Sequence, residues 1–190
     1  MGKWTDAITA FQKAADIQPD ALVYSDIGTA YFFLKQYDDS IKMFERSLQL
    51  NGSGDEQLWG NLADAYRARG QTEKAQAAYR RAIAIARMSA SAQSAGTLGD
   101  MGLYYAKIGD QAQAAHYIRL ARAKDPSDLQ ILYSEATVYA LLGQPSKAMP
   151  VFREAVAKGY SPQEMWKDPD NARMRSLPEF EKLTGMITAK

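Results

Sequence analysis

The chain has 190 residues, a formal net charge of +1 and no cysteine. A dedicated nucleic-acid binder would normally show a basic stripe and a high pI, so this charge argues against one. No apolar run approaches the ~18–20 residues that span a bilayer, and the missing cysteines exclude disulfides, thiolate metal sites and cysteine nucleophiles. We therefore expect neither a nucleic-acid partner nor membrane insertion by this segment.

Residues 20–159 repeat one pattern four times, and residues 2–19 match only its second half. In each copy a small residue precedes a tyrosine by one helical turn, and successive copies lie 35, 39 and 34 residues apart. The four pairs are Gly28/Tyr31, Ala63/Tyr66, Gly102/Tyr105 and Ala136/Tyr139. Small and apolar residues follow at fixed offsets: Ser40, Phe44 and Ser47; Ala75, Tyr79 and Ala82; Ala114, Ile118 and Ala121; Ala148, Phe152 and Ala155.

This pattern predicts pairs of antiparallel helices, which we call helix A and helix B. Small residues at matching places let two helices approach closely, and apolar residues at three- and four-residue spacing give each helix one buried stripe. A single pair cannot bury both of its faces, so neighbouring pairs must stack. We predict a half repeat at 2–19 and full repeats at about 20–52, 54–90, 95–126 and 128–159.

Two places depart from the regular pattern, one in residue type and one in spacing. Gly70, Gly109 and Gly143 stand where a left-handed residue closes helix A, but the first copy has Lys35 there. The 39-residue spacing predicts an extra turn on the helix that ends near Met88, followed by a small, polar loop from Ser89 to Gly96.

The second copy resembles the tetratricopeptide repeat, a 34-residue helix–turn–helix unit. The matching residues are Trp59, Leu62, Ala63, Tyr66, Gly70, Ala75, Tyr79 and Ala82, while Pro19 and Pro126 resemble the proline between repeats. The resemblance covers roughly residues 2 to 159. It implies an all-α, right-handed superhelical solenoid of antiparallel helix pairs that serves as a non-catalytic binding scaffold.

Residues 160–190, the capping segment, break the pattern. We expect a short helix, a turn around Pro169 and a final helix starting near Pro178, which together cover the open face of the last repeat as a capping helix would. Asp168, Pro169, Asp170, Arg175, Pro178, Phe180 and Leu183 are similar to the endings of repeat modules in bacterial multidomain signalling proteins. With the initial half repeat, this predicts that the chain is the carboxy-terminal part of a longer protein, with Met1 added by cloning.

The sequence offers little for catalysis. His116 is the only histidine, it is predicted to point outward from a helix B, and no partners stand at ligand or triad spacing. Asp168-Pro169-Asp170-Asn171 lacks the glycine and distal glutamate of a calcium loop, which favours a turn and helix cap. We predict no catalytic, cofactor-binding or metal-binding residues, and hence no enzyme.

The resemblance implies that a peptide or protein partner lies in a concave groove lined by the A helices. Eight residues are predicted to contact it: Phe33, Asn61, Asp64, Arg67, Leu103, Lys107, Tyr133 and Thr137. Asn61 stands where the family often has an asparagine that bonds a peptide backbone. The basic places of the family's carboxylate clamp hold Ser25, Gly96 and Asp100, so a chaperone-tail ligand is not expected. An apolar or aromatic segment, anchored by Phe33, Leu103 and Tyr133, is our hypothesis.

Other interpretations of the sequence stay open. Phe32 and Phe33 could pack against the first helix that the half repeat lacks. Uncovered apolar residues at that end, Phe11, Phe32 and Phe33, could instead mediate self-association. The chain could also be a substrate-recognition module for an attached enzyme domain. The sequence does not identify the compartment.

Overall fold

The computed structural model describes residues 2–51 and 54–185, which divide at Met88/Ser89 into two compact units. Unit 1 consists of α1 (Gly2–Ile17), α2 (Ala21–Phe33), α3 (Tyr37–Asn51), α4 (Glu56–Ala68) and α5 (Thr72–Met88). Unit 2 consists of α6 (Ala95–Lys107), α7 (Gln111–Lys124), α8 (Leu129–Leu141), α9 (Pro145–Ala157), α10 (Pro162–Lys167), a 3-10 helix (Pro169–Ser176) and α11 (Pro178–Thr184). In the described part of the chain no helix is both long and apolar enough to cross a membrane.

Short turns join the helices into packed pairs. In unit 1, α2 packs against α3 and α4 against α5, with α1 resting on α2. In unit 2, α6 packs against α7 and α8 against α9, and α6 also contacts α8. The described residues form no strand, so the predicted all-α fold of paired helices is confirmed in each unit. As expected, α5 is the longest of the B helices, with 17 residues against 15, 14 and 13 in α3, α7 and α9. The predicted loop from Ser89 to Gly96 is a turn over residues 89–94, and its last two residues already belong to α6.

The repeated small residues lie where the two helices of each pair meet. A Cβ atom added to Gly102 in α6 would be 3.2 Å from the backbone nitrogen of Ile118 in α7, and one added to Gly28 in α2 would be 2.8 Å from the ring of Phe44 in α3. The backbones of the paired helices can approach this closely because glycine has no side chain at these two positions. Every residue of the fixed-offset set is buried: Ser40, Phe44, Ser47, Ala75, Tyr79, Ala82, Ala114, Ile118, Ala121, Ala148, Phe152 and Ala155.

Each repeat tyrosine also accepts a hydrogen bond that closes helix A. The backbone N–H of Gln71 donates to the carbonyl of Tyr66 at 2.8 Å, across a left-handed Gly70 with φ of 86°. The equivalent N–H groups of Gln36, Asp110 and Gln144 donate to Tyr31, Tyr105 and Tyr139. In the first copy Lys35 takes the glycine's place with φ of 61°, and it is the only described residue other than glycine with a positive φ. The four tyrosines thus have the same local role.

The capping segment covers the apolar end of the α8–α9 pair. Met165 of α10, Met174 of the 3-10 helix and Phe180 of α11 are buried in one cluster with Phe152 of α9. The last helix begins at Pro178, as predicted, but the expected turn around Pro169 is a 3-10 helix of eight residues. Asp168 caps this helix, because its carboxylate accepts the Asp170 N–H at 2.8 Å. Residues 186–190 of the segment, Met1, and residues 52 and 53 at the junction between the first two predicted full repeats lie outside the described residues.

Candidate partner-binding surface

In unit 1, helix α4 separates a buried face from an exposed one. Leu58 and Leu62 are 3% and 2% exposed and belong to the core. Asn61, Asp64 and Arg67 recur every three residues on the other face, where Asn61 is exposed and the side chains of Asp64 and Arg67 are partly exposed. Since residues three apart are neighbours on a helix surface, these three predicted partner-contact residues form one polar row.

The carboxylate of Asp64 is held in place at the middle of this row. The hydroxyl of Tyr79, a buried residue of α5, donates to Asp64 Oδ1. Arg67 Nη2 donates to the same oxygen at 3.4 Å. A charge fixed from both sides loses little side-chain freedom when it contacts another molecule, which lowers the entropic cost of binding.

Phe33 belongs to an exposed aromatic patch in unit 1, formed by Trp4, Phe32, Phe33 and Tyr37. The Phe33 ring is 56% exposed and stacks on Trp4 of α1, with 4.8 Å between ring centroids and 15° between planes. Phe32 meets Phe33 edge-on at 6.0 Å and lies 5.7 Å from Tyr37. The contact between Phe33 and Trp4 was not predicted from the sequence, which left open only packing against a missing helix or a partner.

In unit 2, part of the predicted surface is covered by the capping segment. The Lys107 side chain at the end of α6 is 6% exposed, and Thr137 of α8 is 2% exposed. Leu103 and Tyr133 are half-buried. The 3-10 helix packs against α8, and its first residues form what we call the acidic turn, residues 168–171.

The acidic turn makes three polar contacts with Lys107 and Tyr133 and one with Met165. Lys107 Nζ lies 3.0 Å from Asp170 Oδ2. The Tyr133 hydroxyl donates to Asp168 Oδ2 at 2.5 Å and accepts from Asn171 Nδ2 at 2.9 Å. Asn171 Nδ2 also donates to the Met165 carbonyl at 3.1 Å. The acidic turn is therefore bound to two residues that were predicted to contact a partner.

Burial shifts the pKa values of the side chains in this contact. Burial, reinforced by the neighbouring Asp168 carboxylate, raises the pKa of Tyr133 far above its ordinary value, so Tyr133 remains a hydrogen-bond donor. Tyr160 stacks on Tyr133 at 4.1 Å, and burial followed by the charge of Asp168 raises its pKa to about 12. Burial and then the Asp170 charge raise the pKa of Asp168, against the hydrogen bond from Tyr133. The site thus combines a fixed neutral donor with a cation, a pairing suited to carboxylates.

The guanidinium of Arg175 fixes the shape of the acidic turn. Its Nε donates to the Trp166 carbonyl at 2.7 Å and its Nη2 to the Asp168 carbonyl at 2.8 Å. The sequence identified Asp168, Asp170 and Arg175 as parts of a cap but did not predict that the acidic turn would contact the A helices. The pair of carboxylates in Asp-Pro-Asp-Asn could have indicated this contact, because a buried carboxylate needs a cation or a hydrogen-bond donor as its partner.

The remaining candidates for catalysis or metal binding are His116 and the acidic side chains. His116 of α7 is exposed, with an edge-on ring contact to Tyr117 at 5.1 Å. Among residues 2–51 and 54–185, no group of three or more His, Asp or Glu side chains is placed to hold a metal ion.

Known proteins with a similar sequence or fold include members of two named complexes and a thermophilic TPR protein. The bovine (Bos taurus) BBSome complex member BBS4 is 21% identical over 169 residues, which are 88% of this chain and 31% of that protein. The thermophilic TPR protein TTC0263 of Thermus thermophilus is 18% identical with a TM-score of 0.64, covering 96% of this chain and 91% of the other. The APC/C hetero-tetramer Cut9–Hcn1 gives 15% identity and a TM-score of 0.65, covering 97% and 38%. This chain therefore spans about a third of its curated relative.

Family models extend the match along the repeats. One model, described as tetratricopeptide repeat, matches residues 19–88 and 54–127, and a second of the same description matches residues 100–162. Together they span the four helix pairs from α2 to α9. The chain belongs to the tetratricopeptide repeat family, whose fold is a scaffold for protein–protein interaction.

Proposed function

We propose that this chain is a non-catalytic module that holds a peptide or an extended protein segment on the surface of its A helices. The contacts come first from Phe33, Asn61, Asp64 and Arg67 in unit 1 and from Leu103 in unit 2. Lys107, Tyr133 and Thr137 complete the predicted set, but the chain's own capping segment binds Lys107 and Tyr133, and Thr137 is buried.

The observation that carries this proposal is the polar row on α4. Asn61 is turned to solvent beside the carboxylate of Asp64, whose position is fixed by the hydroxyl of the buried Tyr79. The same groups suit an extended peptide, since an amide side chain can donate to and accept from a peptide backbone at once. Arg67 and the aromatic patch add a cation and apolar area for side chains.

The relatives support the general role. BBS4 is by name a member of a complex, and Cut9–Hcn1 is by name a hetero-tetramer, so similar folds occur in multiprotein assemblies. The resemblance of residues 168–183 to the endings of bacterial signalling proteins supports a place in a larger signalling protein. The tetratricopeptide family is generally non-catalytic, which supports the absence of an enzymatic role.

A peptide array tests the proposal. Immobilised peptides of random and proteome-derived sequence are probed with the wild-type chain and with Asn61→Ala and Leu103→Ala variants. We expect the bound sequences to share a pattern, and both variants to lose about 1–3 kcal/mol of affinity for them, since truncating a central contact has that cost. His116→Ala is the matched control, because His116 is exposed on a B helix.

The result that contradicts the proposal is equally definite. If Asn61→Ala and Leu103→Ala bind the same peptides as tightly as the wild type and as His116→Ala, the A-helix surface does not bind the segment. If no peptide on the array binds above the background of an unrelated protein, the chain does not bind extended segments.

Self-association is a second candidate, favoured by the aromatic patch. Trp4 and Phe33 are 40% and 56% exposed although they stack on each other, and Leu22 is 71% exposed. Exposed apolar area of this kind often marks an interface. Sedimentation over a hundredfold concentration range would show a dimer that Phe33→Ser weakens and Met88→Ser does not, because Met88 is exposed to 89% outside the patch. A monomer at all concentrations rules this function out.

A further inference from the structure

The acidic turn is bound mainly by polar groups that are buried from solvent. The side chains of Lys107 and Asp170 are 6% and 10% exposed, and Asn171 is fully buried. Tyr133 links Asp168 and Asn171 through its hydroxyl. This contact is distinct from the apolar cluster of Met165, Met174 and Phe180 that covers the α8–α9 pair.

Such a contact is specific but adds little stability. Desolvating a lysine and a carboxylate costs about as much as their attraction returns, so apolar residues in the same place often stabilise more. Asn171 Oδ1 is buried without a hydrogen-bond partner in the described part of the chain, and such an atom costs about 1–3 kcal/mol. A segment whose only purpose was to cap the repeats would be more stable with apolar residues here.

The side chains that bind the acidic turn are also ones that were predicted to bind a partner. Lys107 and Tyr133 were predicted to contact a partner from their places on helices A, and they are held ready by helix α6 and by the stacked ring of Tyr160. Together they offer one cation and one hydroxyl donor to two carboxylates separated by a single residue, Asp168 and Asp170.

We propose that the acidic turn is an intramolecular occupant of the unit 2 partner surface, which an acidic segment of a partner protein displaces. The displacing segment carries two carboxylates at positions i and i+2, as the acidic turn does. This inference rests on the proposed function, because it names the ligand class for the unit 2 part of the same surface. A partner binds only molecules in which the acidic turn has left the surface. Its apparent affinity is therefore the intrinsic affinity multiplied by the fraction of molecules in that open form.

Hydrogen exchange of the wild-type chain provides the first test. The backbone amides of residues 170–176 open in a local step, so they exchange at least about tenfold faster than the protected amides of α8 and α9. Exchange of the two regions at one common rate would mean that the acidic turn leaves only when unit 2 unfolds, and the proposal would be wrong.

A synthetic peptide of residues 166–177 provides the second test. Its binding to the full chain is measured by fluorescence anisotropy for the wild type and for Asp168→Asn/Asp170→Asn, in which asparagine at 168 can still cap the 3-10 helix. The variant binds the peptide at least about tenfold more tightly than the wild type, because its surface is open more often. Adding Lys107→Met to the variant removes this gain, as does placing asparagine at both aspartates of the peptide.

Each outcome decides the proposal. Equal affinity of wild type and variant, or no binding by either, contradicts displacement, and so does tight binding of the peptide without its carboxylates. If the double variant does not fold, Lys107→Met in the wild-type chain takes its place. Local exchange of residues 170–176 must then speed up while α8 stays protected, and unchanged exchange overturns the proposal. The Asn61→Ala arm of the peptide array reports on unit 1 alone, so failure of the acidic-turn proposal leaves the proposed function standing, whereas failure of the proposed function would appear in the array.

Discussion

Helices α4 and α8 occupy equivalent places in their pairs, yet their outer faces have different surroundings. Asp64 and Thr137 stand at the same offset from the repeat's small residues, Ala63 and Ala136. The Asp64 side chain is 25% exposed, whereas Thr137 is 2% exposed. The repeat register places both residues at the same position of helix A, but it does not determine how far each one reaches solvent.

The capping segment adds two kinds of contact to the α8–α9 pair. In unit 2 it supplies both an apolar cover, through Phe180 and Met174, and the polar contact of the acidic turn with Tyr133. In unit 1 the described residues leave Asn61 and Phe33 exposed. The same face of helix A is therefore more exposed in α4 than in α8.

The largest expected effect comes from removing the apolar cover. Phe180→Ala deletes a fully buried ring whose centroid lies 5.2 Å from that of the Phe152 ring. We expect this change to lower the free energy of unfolding of unit 2 by about 3–5 kcal/mol. Phe33→Ala is the matched change at an exposed ring and should cost about 1 kcal/mol or less. Urea denaturation of both variants measures the difference.

Equal losses for the two phenylalanines would break the comparison. Such a result would mean either that the capping segment does not cover the α8–α9 pair or that the Trp4–Phe33 stack supports unit 1 as strongly as a core residue would.

A smaller effect tests how closely the paired helices approach. Gly102→Ala places a methyl group 3.2 Å from the Ile118 backbone, which cannot move without shifting α7, and should destabilise the chain by about 1–3 kcal/mol. Gly96→Ala lies in the same helix with nothing within 4 Å of the added carbon, and should stabilise it by about 0.5–1 kcal/mol. Opposite signs in thermal denaturation support close packing, and the same sign for both would refute it.

The smallest effect concerns the turn that lacks glycine. Lys35 has φ of 61° where Gly70, Gly109 and Gly143 stand in the other copies. A left-handed conformation costs a residue with a side chain roughly 1–2 kcal/mol, so Lys35→Gly should raise the free energy of unfolding by about 0.5–1 kcal/mol after the entropy of the unfolded glycine is counted. Gly70→Lys is the reciprocal control in the second copy and should destabilise. A loss of stability in Lys35→Gly would show that the lysine is not strained.

Much of the fold could be predicted from the sequence because the repeat supplies the same information four times. Small residues such as Gly102 and Ala114 mark where helices meet, and the tyrosines mark where helix A ends, so the helix pairs follow from local spacing. The final helix at Pro178 follows from the proline that begins it.

The surroundings of the candidate site could not be predicted in the same way. The contacts of Lys107 with Asp170 and of Tyr133 with Asp168 join residues 63 and 35 positions apart, and no repeat relates them. Phe33 stacks on Trp4 across two helices, a pairing that the pattern within either helix does not specify. Register places a residue on a face, but contacts between non-repeated segments depend on tertiary packing.

The accessibility of Lys107 tests the account most directly. Acetylation of the folded chain with an amine-reactive reagent, followed by mass spectrometry, compares Lys107 with Lys42, whose side chain is 68% exposed. Because the acidic turn covers Lys107, we expect its labelling to be at least about tenfold slower than that of Lys42, and to accelerate in Asp168→Asn/Asp170→Asn. Labelling of Lys107 in the wild type as fast as that of the exposed Lys42 would show that the acidic turn does not cover Lys107, and would contradict this description of unit 2.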